Sequence, residues 1–227
     1  MGIGSTVGKR LAPKITQAAP AYTHGFVREA LRRAIEGVGP LPSAEQAAAK
    51  RLERAGGEVK QAVTKTVLVH VEYAGAQGFA TNLGGLVTAA ATVPANIVGL
   101  ALIQARMVAV IAALRGHDLS DPRVRTAILL CLLGEDDVKK AVKEKRVPAP
   151  PMALATAPVH DPDLDATIAQ VVATELIASA AGKRMASTVG RRVPVMGGFV
   201  GMGTDAWATW RIGRYATREL LPRAKQS

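Results

Sequence analysis

The residues that could do chemistry in this sequence are few, and their spacing favours contacts over catalysis. His24, His70, His117 and His160 are scattered, with no His-Glu-x-x-His or Cys/His pattern that would aim two ligands at one ion. No metal is therefore expected, and each histidine reads as a surface or capping residue. No serine stands in a Gly-x-Ser-x-Gly turn, which lowers a hydrolase reading. Cys131 sits in the run Ala-Ile-Leu-Leu-Cys-Leu-Leu and reads as a buried, inert thiol. The stretch Gly-Gly-Phe-Val-Gly-Met-Gly at 197–203 ends in Gly-Thr-Asp, whereas a phosphate-cradling loop ends in Gly-Lys-Ser/Thr, so no cofactor is expected. Its glycines serve better as close-packing positions, with Gly197, Gly198 and Gly201 letting one backbone approach another that carries Gly84, Gly85 and Gly99.

Two charged constellations remain. Arg106 is the only ionisable residue in the apolar stretch 83–114, and Asp205 follows the glycine stretch after Thr204. One expectation is that the two meet as a shielded ion pair inside the protein; the alternative is that Asp205 caps a helix or lies in its first turn. The second constellation is Arg191, Arg192, Trp207, Trp210, Arg211, Arg214 and Arg218, which combines the residues that favour an anionic membrane surface. Its competing reading is a solvated helix face with both tryptophans turned into the core.

Helices must position these groups. Of the 227 residues 48% are apolar but only 4% aromatic, and Ala, Val and Leu dominate, which favours packed helices over a sheet sandwich. The length suits one domain. Residues 1–22 mix Gly, Pro, Lys and Ala without a period and read as a flexible N-terminal arm, 23–222 as the helical domain and 223–227 as a tail. Within the domain, helices are expected at about 24–37, at 43–55 behind a Ser43/Gln46 capping box, and at 58–80 on a valine stripe. Others follow at 94–114, 122–133 behind Asp121-Pro122, 135–146, 161–188 and 204–220. The five prolines of 147–162 read as an exposed internal loop. The expected fold is thus all-α: a single-domain multi-helix bundle with two apolar glycine-rich helical segments, 83–114 and 193–203, packed centrally.

The order of these features resembles the EcsC family of bacterial proteins. The resemblance is carried by Gly78-Phe-Ala-Thr-Asn-Leu-Gly-Gly-Leu86, the Pro94-headed apolar helix with Arg106, Asp118-Leu-Ser-Asp-Pro122 before Ile128-Leu-Leu-Cys-Leu-Leu-Gly134, and Pro194-Val-Met-Gly-Gly198 leading to Asp205. It covers about 58–215 and implies an all-helical protein associated with the cytoplasmic membrane, in a family named for a component encoded beside an ABC transporter. It implies no established reaction and supplies no catalytic motif to carry over.

A net charge of +11 predicts attraction to anionic surfaces. No recognition helix or aromatic stacking surface accompanies it, so nucleic acid is not the expected partner. The stretch 83–114 exceeds the ~20 apolar residues needed to cross a bilayer. Arg106 within it would cost about 2.5–3.5 kcal/mol there, however, which weighs against spanning and leaves a core hairpin or interfacial attachment. The expected function is a non-enzymatic, peripheral membrane-associated protein on the cytoplasmic face, bound to anionic lipids or a membrane protein complex. The alternatives are a membrane-proximal hydrolase and a soluble helical adaptor or lipid-binding module.

Overall fold

The computed structural model describes residues 23–83, 95–189 and 194–223, and among them every regular element is a helix. In chain order these are α1 (Thr23–Glu36), α2 (Ala44–Arg54), α3 (Val59–Leu83), α4 (Ala95–Leu114), α5 (Pro122–Cys131), α6 (Gly134–Lys143), α7 (Pro151–Ala155), α8 (Pro162–Val189) and α9 (Pro194–Glu219). The all-α expectation holds. The arm at 1–22 and the last four residues lie outside the described residues.

Local signals start and stop the helices. Ser43 caps α2 through its hydroxyl while Gln46 returns a side-chain bond to the Ser43 backbone, the reciprocal box anticipated from the sequence. Asp121 caps α5 with Pro122 at the first turn, and the Asp161 carboxylate accepts the amides of Asp163 and Leu164 at the start of α8. Between α1 and α2 the chain reverses at Gly37, whose φ is +86°. A Cβ there would fall 2.3 Å from the Leu41 carbonyl oxygen, so this turn admits only glycine.

The core is built around α4. Met107, Val108, Ala109, Val110, Ile111 and Ala112 are all fully buried, so the helix is enclosed on every side, by α1, α2, α3 and α9. Ile97–Leu114 is long and apolar enough to cross a membrane by length and composition, but 67% of it is buried inside the protein. Gln104 reaches Thr209, Met107 lies beside Gly213, and Arg115 and His117 reach the carbonyls of Leu220 and Leu221. Contacts rise along both chains together, so α4 and α9 are parallel. Val67 of α3 meets the same Gly213. Were α3 parallel to α4 as well, Leu83 and Ala95 would stand about 42 Å apart, near the full reach of the intervening residues. Hence α3 runs antiparallel to both. The C-terminus of α3 and the N-termini of α4 and α9 share one end of the bundle.

Three expectations change. Residues 147–162 are not wholly an exposed loop: Pro151 opens α7, and Val147, Pro151, Leu154 and Ala155 are buried, with α7 against α5. Proline at the first turn starts a helix without losing a hydrogen bond, which is why a proline count misleads there. The glycine stretch at 194–203 forms the first turns of α9 itself. His70 and His117 are buried, 4% exposed each, and not surface residues.

The α3–α9 contact depends on Gly213. A Cβ on it would stand 2.8 Å from Val67 Cγ1 and 3.1 Å from Met107 Sδ. Gly213→Ala is expected to cost about 1–3 kcal/mol through overpacking, and Val67→Ala in the same chain should recover part of the loss. Urea unfolding of the two singles and the double measures this; additive losses would mean that the two sites do not share the contact.

Candidate functional site

One face of α9 is packed and the other is open. Thr209, Ile212, Tyr215, Ala216 and Leu220 are buried, whereas Trp207 is 58% and Trp210 39% exposed. The tryptophans therefore face outward, against the reading that placed them in the core. Each carries a cation four residues on: the Arg211 guanidinium lies 4.8 Å from the Trp207 ring centre and Arg214 5.0 Å from that of Trp210. One helical turn sets that spacing and suits cation–π contact.

Two carboxylates of α6 reach this face. Asp136 accepts from Arg211 and Glu135 from Arg218, while Glu135 also takes Lys139 of its own helix at 2.7 Å. The Lys139 bond, with the Arg218 charge behind it, holds the Glu135 carboxyl below its ordinary pKa. Burial, with the Glu175 charge behind it, moves neighbouring Asp137 the other way. Trp210, Arg211, Arg214, Arg218 and Glu135 line a surface concavity of about 210 Å³. Arg214 has no ion pair among the described residues.

Arg106 serves another purpose. It is 6% exposed, and its guanidinium donates to three backbone carbonyls, of Ala34 at 2.8 Å, Pro42 at 2.6 Å and Ser43 at 3.3 Å. The structure does not pair it with Asp205, and helix geometry gives the reason. Gln104 faces α9, where its amide donates to the Thr209 hydroxyl at 3.1 Å. Two residues on, about 200° around the axis, Arg106 points away from α9 toward α1 and α2. Asp205 lies half-buried within α9.

Of the proposed close-packing glycines, Gly84 and Gly85 lie outside the described residues, as do Arg191 and Arg192. Gly99 is half-buried in α4, and Gly197, Gly198 and Gly201 lie in α9. Gly213, which the sequence reading passed over, permits a close approach between helices.

A second polar group joins α5 to α8. His160 Nε2 lies 2.5 Å from the Asp165 carboxylate, which also accepts from the Thr126 hydroxyl. The carboxylate stands between hydroxyl and imidazole, so the base is not beside the nucleophile as acyl-transfer chemistry requires. The adjoining cavity, about 30 Å³, has room for about one water. Among the described residues no group of three or more His, Cys, Asp or Glu could hold a metal ion.

A family model described as the EcsC protein family matches residues 3–223 of the 227. No curated protein and no solved structure matches the chain.

Proposed function

The chain belongs to the EcsC protein family, and on that premise we propose that it is a non-enzymatic peripheral membrane protein, held on the cytoplasmic face of the membrane by α9 and by the apolar end from which α9 begins. The observation that supports this is the order of residue types along one helix. Apolar, glycine-rich turns come first (194–203), then exposed Trp207 and Trp210, then Arg211, Arg214 and Arg218. At 1.5 Å per residue, Trp207 and Arg211 are about 6 Å apart along the axis, comparable to the roughly 5–8 Å depth of one headgroup layer, and Arg214 and Arg218 lie farther out. Aromatic rings prefer the interface and arginines the anionic surface above it. Tyr73 of α3 is 57% exposed as well. It and Trp207 each lie six residues toward the apolar end from the Val67–Gly213 contact, so the two are level on antiparallel helices.

A helical adaptor with internal apolar segments is the second reading, favoured by the burial of most of α4. Fractionation of the expressing cell separates the two. The expectation is recovery with membranes, release by high salt, and a marked loss of membrane recovery in Trp207→Ser/Trp210→Ser; a wholly soluble wild-type protein would reject the membrane reading.

A further inference from the structure

The face of α9 carries its own counter-anions, and their arrangement points to a ligand. Arg211, Arg214 and Arg218 line one concavity with Trp210. The two outer arginines are held by Asp136 and Glu135, carboxylates that come from a different helix, 75 and 83 residues away in sequence. The middle one, Arg214, stacks on Trp210 and has no anion among the described residues. Three cations thus share two carboxylates, one of which, Glu135, is also bonded to Lys139. Asp137 stands beside them, with Glu175 and Lys140 among the charges acting on it.

We propose that this concavity receives the phosphate of an anionic phospholipid headgroup, and that Glu135 and Asp136 are internal stand-ins which the phosphate displaces. The inference rests on the membrane reading and names its ligand and its regulation. Arg214 is the point of entry, because its charge is available without breaking an ion pair. The cavity of about 210 Å³ holds several waters and so has room for a phosphate group. The ion pairs to be exchanged are solvent-exposed, with 75% of the Asp136 side chain and 54% of the Arg218 side chain accessible. Such pairs open at little cost, whereas guanidinium groups bind phosphate through paired, charge-assisted hydrogen bonds. Until lipid arrives, the carboxylates lower the attraction of the face for anions in general, so the protein holds to membranes rich in anionic lipid more selectively than an uncompensated arginine stripe would.

The test is co-sedimentation of the full chain with phosphatidylcholine vesicles, with and without phosphatidylglycerol. Glu135→Gln/Asp136→Asn is expected to bind the anionic vesicles more tightly than wild type, by roughly fivefold for each arginine freed, and to leave binding to pure phosphatidylcholine unchanged. Arg214→Gln is expected to lose most of the anionic-vesicle binding. Glu45→Gln/Glu53→Gln removes the same charge from α2 and reports the effect of net charge alone. An equal gain from both double variants, or wild-type binding by Arg214→Gln, overturns the site. If wild type binds no vesicles but Glu135→Gln/Asp136→Asn binds the anionic ones, the stand-in role is supported and unaided attachment by wild type fails; if neither binds, both proposals fall.

Discussion

Arg106→Met is expected to lower the stability of the folded protein by about 3 kcal/mol, read as a fall in the urea midpoint with little change in slope. The reason lies in what the guanidinium replaces. At the end of α1 the Gly37 amide returns to Arg33, while the Val38 amide turns to Leu41, so the Ala34 carbonyl receives no amide from Val38. Arg106 supplies the missing donor from a helix 72 residues on in sequence and places a positive charge at the C-terminal end of the α1 dipole. The same side chain holds the Pro42 carbonyl and, more weakly, that of Ser43, fixing the turn from which α2 starts. Bonds to a charged donor are worth about 1.5–3 kcal/mol each. Once the arginine is gone, exposed Pro42 can bond water, which keeps the total well below three such bonds. Methionine retains most of the apolar stem, so the loss reports the bonds more than the packing. Arg106→Lys should fall between, since one ammonium cannot span carbonyls on both sides of the turn. Wild-type stability in the methionine variant would show that the turn is held without Arg106.

That arginine also marks the boundary of what was legible in the sequence. Its presence in an apolar helix weighed against spanning, because burial in a bilayer would be costly, but left a core hairpin and interfacial attachment open; that 67% of Ile97–Leu114 is buried inside the protein was not legible. Its partner was not legible, because the acceptors are backbone carbonyls, which every residue carries and no residue type announces. Helix starts were legible where a side chain makes the cap, as at Ser43, Asp121 and Asp161. That Trp207, Trp210, Arg214 and Arg218 form a stripe could likewise be read from residue type and period, but whether its tryptophans face outward or into the core could not. Its carboxylate partners could not, since Glu135 and Asp136 lie on a short charged helix that reads as ordinary solvated surface. Gly213 did leave a trace: a glycine in a helix interior costs about 1 kcal/mol relative to alanine and calls for a packing reason. Between the conspicuous tryptophans and arginines it was passed over, and the neighbour that explains it, Val67, lies on another helix.

Acidification from pH 7 toward 4 is expected to remove a further increment of stability, most of it traceable to His70. Its Nδ1 lies 2.7 Å from the Thr66 carbonyl, which can only accept, so Nδ1 carries the proton of a neutral ring. Burial moves its pKa from the ordinary 6.5 down to about 4, against the Thr66 bond, which raises it and is the next-largest effect, and with lesser help from the Arg51 and Arg106 charges. A base whose folded pKa is depressed is protonated more readily in the unfolded chain. The penalty is therefore absent above pH 6.5, grows as pH falls, and levels off near the folded value. At 1.36 kcal/mol per pKa unit the full cost is about 3 kcal/mol, of which about 2 is reached by pH 5. His117 adds to the loss in the same direction, because burial lowers its pKa too, with Arg223 and Arg115 nearby. Carboxylates with lowered pKa, Asp118 and Asp121 among them, act below this window, so they do not account for a decline that begins near pH 6.5. His70→Gln keeps an amide donor for Thr66 and does not titrate. Urea unfolding at pH 7, 6 and 5 should show a markedly flatter decline in that variant than in wild type, and parallel declines would place the titrating group elsewhere.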